Sequence, residues 1–488
     1  MGILYRGIRE VEVFSQRCTT KLYIIAVERL NGMLGMKNMG NKRNINLRRQ
    51  KKLQLQDRLR KKVALKQGPK KICLTCIMRN ESKNVNRLLD SFYDPADNSY
   101  IIDMISIVDT GSTDNTEELI LDWGKKHNIP TTVHHEPFKN FAYNRTHSIR
   151  AAKQSYPDAD YFLLSDADFV WEINRGCKFD KVLLVDHKYL IEQYNKALSY
   201  WNIRLLSSKV EFECRGVTHE YWVESKSQAE YTGEVRTAKI TTLAIDDRED
   251  GGCKSDKFTR DERLLRSGLE DPETPDGLKT RYKFYLAQTL KDMARYAESI
   301  EWYSKRIQDK GWDEEVYYSK FQIGFNHEQL GWKKKHAVVL MGKSQKTQEE
   351  IDHIAKWNPD NLIPSVLMEQ STKHFTDAAV NYMAAYTYRK TRAESLYYLT
   401  RMYRSLGMNE IAFDLAITGR KIKYPETDTL FIERGCYTYL FDYEISIVAF
   451  YLKDKKDIGR EAVSNLMMRD DLPDWVTRTL ENNSRHYI

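Results

Sequence analysis

From residue 72 to residue 166 the chain alternates short strand-like runs with longer helix-prone stretches. That rhythm restricts the fold more than any other feature. The runs are "ICLTCI" (Ile72–Ile77), "MISIVD" (Met104–Asp109), "TTVHHE" and "YFLLSD". Apolar runs of this length, bounded by turn signals, suit strands buried on both faces. Between them lie "ESKNVNRLLDSFY", with Val85, Leu88 and Leu89 at helical spacing, "TEELILDWGKKH" and "FAYNRTHSIRAAKQ". Asp114 and Glu117 can cap the second of these helices as a capping box. Strand and helix in alternation predict an open, mostly parallel α/β sheet. In such sheets ligands bind outside the carboxyl ends of the strands.

That rule separates two identical tripeptides. Asp158–Asp160 precede a strand, where charges mark a solvated turn. Asp166 and Asp168, in "FLLSDADFVW", end one. Arg79-Asn80-Glu81 follow the first strand and Asp109 ends the second, so three strand ends bring carboxylates to one rim. Carboxylates gathered in one place repel, and a site that keeps them usually holds a cation.

Beyond about residue 275 the pattern changes to helical pairs rich in Tyr, Leu and Ala. "LAQTLKDMARYAESIEWYSKRI" reads as helix, tight turn, helix. "IGFNHEQLGW" echoes its first part 37 residues on, so that Gly331 matches Ala294, and Gly407 follows another 76 on. Units of this size resemble degenerate tetratricopeptide repeats, which must stack to bury their apolar faces. A plain helical bundle is the alternative. The expected domains are therefore a flexible basic arm (1–70), the α/β domain (71–260) and a helical repeat domain (275–488).

Charge and cysteine narrow the function. Residues 1–71 carry 19 Lys/Arg against 4 Asp/Glu, a net +15, which leaves −7 of the chain's +8 for the remainder. A mildly acidic body argues against a nucleic-acid channel through it, while the arm suits contact with nucleic acid or an anionic membrane surface. Seven scattered cysteines show no disulfide or zinc framework, and Cys73-x-x-Cys76 lies inside a core strand. Neither a signal-peptide pattern nor a membrane-length apolar run occurs, so the expected location is cytoplasmic.

Taken in order, "CIMRNESKNV", "VDTGSTDNT", "FKNFAYNRTHSIRAA", "FLLSDADFVW" and "CRGVTHEYW" resemble a family 2 glycosyltransferase with a GT-A fold over roughly residues 70–260. The helical tail is similar to that of bacterial and viral members that join such a domain to tetratricopeptide-like repeats. Lys-, Asn- and Tyr-rich usage suits an AT-rich genome such as that of a large virus. The resemblance implies transfer of a sugar, with inversion, from a nucleotide-sugar (a UDP-sugar) to a protein, peptide or glycan acceptor, assisted by Mn2+ or Mg2+. It implies that Asp168 binds the metal, Asp166 the donor ribose and Asp109 the base N–H, with Arg145 offsetting diphosphate charge. An inverting displacement needs a base to take the acceptor's proton. Glu220 is the candidate, with neighbouring His219 a further metal ligand and Asp246, Asp247 and Asp250 in reserve. The usual Glu-Asp pair after the metal motif is missing. Trp171, Tyr221 and Trp222 are either a sugar platform or core.

A nucleotidylyltransferase would need a Gly-rich loop after the first strand, and "CIMRNESKN" has no glycine. Two rivals remain: a non-catalytic repeat scaffold with a degenerate transferase domain, and a nucleic-acid-binding protein acting through the basic arm. The repeats themselves suggest acceptor recognition or self-association.

Overall fold

The computed structural model describes residues 62, 65, 66, 68–174, 176–195, 199–225, 234–251 and 257–487. The basic arm expected over 1–70 lies almost wholly outside them. Contacts divide the chain into two compact units, Met1–Lys70 with Asp180–Val185, and Lys71–Phe179 with Asp186–Ile488. Described residues of the first contribute a 3-10 turn, Lys181–Leu183, at whose start Asp180 accepts from Val182 N–H at 3.0 Å. The second unit carries the sheet and the helices.

The α/β part begins with β1 (Ile72–Met78), helix α1 (Val85–Asp90) and the short hairpin β2 (Tyr93–Asp94) and β3 (Ser99–Tyr100). It continues through β4 (Met104–Asp109), α2 (Thr116–His127), β5 (Thr131–His135), α3 (Phe141–Ser155) and β6 (Tyr161–Leu164). The strands β7 (Phe169–Ile173), β8 (Lys188–Tyr194), β9 (Ser199–Ser207), the hairpin β10 (Phe212–Arg215) and β11 (Tyr221–Glu224), and β12 (Thr237–Asp247) complete it. Eight strands form one sheet in the order β5-β4-β1-β6-β9-β8-β12-β7. Neighbours from β5 to β6 are parallel, as the alternating pattern requires. β9 runs antiparallel to both β6 and β8, and β12 is parallel to β8 but antiparallel to β7.

Ile72, Leu74, Ile105, Ile107, Val108 and Leu163 have no exposed surface, which is why the central runs lack a polar alternation. Cys73 and Cys76 are buried free thiols. Register puts Met78 opposite Asp109 and Thr75 opposite Leu164, so the three strands end at one rim. Helix α2 spans the residues expected of it, but its start differs. Asp114 accepts from Thr116 N–H (3.1 Å) and Oγ1 (2.5 Å) and from Ser82 N–H (3.2 Å), so it ties α2 to the loop after β1. The N-cap is Asn115, without a side-chain bond, so the expected box with Glu117 does not form. Asp158 and Asp160 lie at the other end of the sheet, where Lys71 binds both.

The helical part runs through α4 (Lys257–Glu270), α5 (Asp276–Asp292), α6 (Tyr296–Gln308), α7 (Asp313–Met341), α8 (Gln348–Trp357) and α9 (Pro364–Tyr388). It ends with α10 (Glu394–Ser405), α11 (Asn409–Gly419), α12 (Leu440–Val448), α13 (Lys456–Met467) and α14 (Asp474–Ser484). Two helix–turn–helix pairs, α5–α6 and α10–α11, turn at Ala294 (φ +56°) and Gly407 (φ +80°). Gly331, which the sequence aligned with these two, lies inside the 29-residue α7 instead. Its missing side chain has a packing reason, because a Cβ there would stand 2.9 Å from the Phe375 ring of α9. Gly324 meets Tyr382 in the same way at 2.7 Å. α7 and α9 thus approach closely and build one aromatic core with Phe284, Tyr317 and Phe321.

Candidate active site

Asp109, at the end of β4, is buried (4 % exposed). Its Oδ1 accepts from Gly111 and Ser112 N–H, both at 2.7 Å, which folds "DTGS" into a tight turn. Gly111 stands at φ +110°, a conformation that side chains disfavour. The other oxygen, Oδ2, is buried with no hydrogen-bond partner. A buried acceptor left unpaired costs about 1–3 kcal/mol, so this oxygen is set up to meet a donor from outside the chain.

Asp166, after β6, is held by two arginines. Arg145 on α3 donates through NH2 to Oδ1, and Arg204 on β9 reaches Oδ2 at 3.4 Å. Partial burial opposes the Asp166 charge, but these two cations outweigh it and keep its pKa below the usual carboxylate value. Arg204 is oriented in turn by Gln193 Oε1 of β8 at 2.7 Å. Arg145 also faces Glu220, with Nε 2.6 Å from Oε1, although that N–H is not aligned on the oxygen. Its side chain is only 13 % exposed, so it is no ordinary surface arginine. One guanidinium thereby joins Asp166 to Glu220, and the structure brings together three of the expected site residues.

Asp168, in the turn just before β7, has different surroundings. Partial burial, with the charges of Asp166 and Asp247 nearby, pushes its carboxyl up to about 6. Its Oδ2 accepts from Gly251 N–H at 3.3 Å, and its backbone oxygen accepts from Arg248 N–H at 3.2 Å. The segment after β12 is fastened to α1 by a bidentate pair, Arg87 with Asp250 at 2.6 and 2.7 Å. A Cβ built on Gly251 would lie 3.2 Å from Asp168 Oδ2 and 3.4 Å from Glu81 Oε1. Glycine thus leaves a small cradle between two carboxylates, and hard oxygen donors around such a space fit a divalent cation of the Mn2+ or Mg2+ kind.

His219 does not join that cradle. Its ring stacks on Tyr285 of α5, with centroids 3.9 Å apart and planes 8° from parallel. Its backbone sits at φ +51°, and its carbonyl accepts from Arg281 NH2 at 3.0 Å. Among the described residues, Asp168 and His219 form no cluster of three potential ligands. The strained turn directs the ring to the helical part while Glu220 faces Arg145. Of the aromatic candidates, Trp171 is core, donating to Ser165 Oγ at 3.0 Å. Tyr221 is exposed, with the Arg281 guanidinium 5.1 Å from its ring. Arg204, Gln193 and Arg87 were not singled out from the sequence. They reach the site from strands and a helix whose local pattern carries no sign of it.

Residues 75–179 match the family described as Glycosyl transferase family 2. The match covers the strand ends bearing Asp109, Asp166 and Asp168, and it supports glycosyl transfer as the class of reaction. It spans under a quarter of the chain. No curated protein sequence matches. Among solved structures the chain is similar to S. aureus TarS at 11 % identity, covering 53 % of this chain and 52 % of that one, with a TM-score of 0.28. The chain therefore spans about half the length of TarS. TarS 1-349 in complex with UDP-GlcNAc is similar at 12 % identity, covering 64 % and 90 %, with a TM-score of 0.26. The mannosyltransferase PcManGT from Pyrobaculum calidifontis, in complex with GDP-Man and Mn2+, is similar at 13 % identity, covering 66 % and 92 %, with a TM-score of 0.29. These likenesses are too distant to carry a substrate or cofactor across.

Proposed function

We propose that the chain is a metal-dependent inverting glycosyltransferase that uses a nucleotide-sugar, a UDP-sugar in our reading, and glycosylates a protein, peptide or glycan hydroxyl. The observation that carries this is Asp109: a buried carboxylate with one oxygen spent on its own turn and the other unpartnered, on the same rim as Asp166 and Asp168. The family match over that rim supports it.

In this reading Asp109 Oδ2 accepts the N–H of a uracil ring. Asp166, fixed by Arg145 and Arg204, accepts from the donor ribose hydroxyls. Asp168 would hold a divalent cation with oxygen ligands, Glu81 lying across the Gly251 cradle. Such a cation, when bound, neutralises the charge that builds on the departing diphosphate. Arg145 adds a second positive charge on the donor side. The acceptor oxygen attacks the anomeric carbon, the bond from that carbon to the diphosphate oxygen breaks, and Glu220 takes the acceptor's proton. With Oε1 facing Arg145, Oε2 is the oxygen that does so. His219, expected as a metal ligand, serves instead to hold the Glu220 turn. The helical part, whether stacked repeats or a bundle, borders that turn and would orient the acceptor.

The test is thermal shift with UDP, GDP, CMP and ADP, each with and without Mn2+, beside Asp168→Asn. Stabilisation by UDP that needs Mn2+ and disappears in Asp168→Asn is expected. A ligand at 100 times its Kd adds about 2.7 kcal/mol, which a melt resolves readily. No response to any nucleotide would favour the non-catalytic scaffold.

A further inference from the structure

Helices α7 and α9 bring together three side chains that the strand-end site does not use. His327 comes from α7. His374 and Asp377 come from α9, three residues apart and therefore on one face. The two imidazole Nδ1 atoms lie 3.1 Å apart, and Asp377 Oδ2 lies 4.0 Å from His327 Nδ1. One ligand atom from each residue falls within 4.8 Å of the others, a grouping that no other three His, Cys, Asp or Glu make among the described residues.

The geometry points to a transition-metal site: His327 Nδ1, His374 Nδ1 and the Asp377 carboxylate holding one Zn2+-class ion that clips α7 to α9. Ligands bonded tetrahedrally to one Zn2+ stand about 3.3 Å from each other, so the nitrogens are already at that spacing and only the carboxylate has to close in. Asp377 is 38 % exposed and has room to turn. At 3.1 Å the two Nδ1 atoms share a single proton, since two N–H groups would point at each other. An incoming cation would take both Nδ1 lone pairs, the shared proton moving to the bare Nε2 of its own ring so that each imidazole binds neutral. Two nitrogens and one oxygen select Zn2+ over Mg2+ or Ca2+, which prefer oxygen alone. Three protein ligands leave a fourth position for water.

The supporting backbone is rigid. The Gly324–Tyr382 and Gly331–Phe375 contacts bracket His327 on α7 and Asp377 on α9, with His374 next to Phe375, so ligand spacing is set by the core. Lys334 and Lys373 stand near and oppose a cation, with Lys334 bound to Gln370 Oε1 at 2.8 Å. This site differs from the strand-end cradle in ligand chemistry and does not depend on the transfer reading.

Equilibrium dialysis of the untagged, chelator-treated full chain against ZnCl2, paired with thermal melts, tests it. One Zn2+ per chain is expected, unaffected by excess Mg2+ and retained in Asp168→Asn. Affinity should fall about tenfold or more in His374→Asn and in Asp377→Asn, with the Zn2+-induced stabilisation falling in step. If His374→Asn does not fold, Asp377→Asn decides, because that side chain lies at the surface. Failure to bind Zn2+ saturably at micromolar concentration would overturn the site. So would binding that survives both substitutions, or binding lost in Asp168→Asn.

Discussion

The ring of His219 lies flat on Tyr285 at 3.9 Å, joining the turn that carries Glu220 to helix α5. Two further bonds strengthen that join. Arg281 donates to the His219 carbonyl at 3.0 Å, and Val217 N–H donates to Tyr282 Oη at 3.1 Å. A turn with a non-glycine residue at φ +51° needs such support, because the conformation itself costs about 1–3 kcal/mol. Tyr285→Ala should therefore loosen residues 216–221 and reduce turnover while leaving nucleotide affinity unchanged. Hydrogen exchange across that turn and separate kcat and Kd measurements check it. Equal losses in kcat and nucleotide affinity would count against the positioning role. Removing everything after about residue 270 should likewise impair the α/β part.

Asp109→Asn tests the base-reading oxygen. The substitution replaces one acceptor by an amide, so either the turn or the ligand loses its partner. UDP binding should weaken by about 1.5–3 kcal/mol, ten- to over a hundredfold, as measured by calorimetry. Binding of inorganic diphosphate should hardly change, since Asp109 would not touch it.

Arg145 stands between Asp166 and Glu220, and its removal leaves two carboxylates facing each other. Arg145→Met should destabilise the chain by about 3 kcal/mol in a denaturant titration. Arg145→Lys should recover only part of this, since an ammonium cannot span both oxygens as the planar fork does. Adding Glu220→Gln to Arg145→Met should restore some stability by removing the charge left unpaired, since Asp166 keeps Arg204.

How much of this was legible in the sequence depends on the distance between partners. β1, β4, β6 and helix α2 were readable because local periodicity and burial agree there. Asp109, Asp166 and Asp168 were placed on one rim by the rule that ligands gather at strand ends. Arg204 and Gln193 were not readable, because their role is set by pairing of β8 and β9 with each other and with β6. Nothing near His219 signals its left-handed backbone except Gly216 (φ +109°) three residues before it. Gly331 misled as a repeat turn. A glycine that breaks a helix and one that admits an aromatic ring from a neighbouring helix look alike in one dimension. The metal-ligating trio was equally hidden, because 47 residues separate His327 from His374.

The helical part should also make stability depend on pH. Glu433 is half-buried beside Glu394, and burial first, then that neighbouring charge, pushes its carboxyl up to about 7. Tyr398 Oη donates to it at 3.2 Å, and Arg401 and Arg392 oppose the shift without cancelling it. A carboxyl raised in the folded state binds its proton more tightly there than in the unfolded chain. Its contribution is therefore full below the unfolded value near 4.5 and is lost as pH rises through 7. Allowing for its contact with water, the loss between pH 5 and pH 8 should be about 1–2 kcal/mol. Glu433→Gln keeps the shape and cannot ionise, so its melting temperature should fall less than the parent's across that interval. Parallel melts at pH 5, 6.5 and 8 decide it: the same pH dependence in both proteins would mean that Glu433 is already ionised at pH 5.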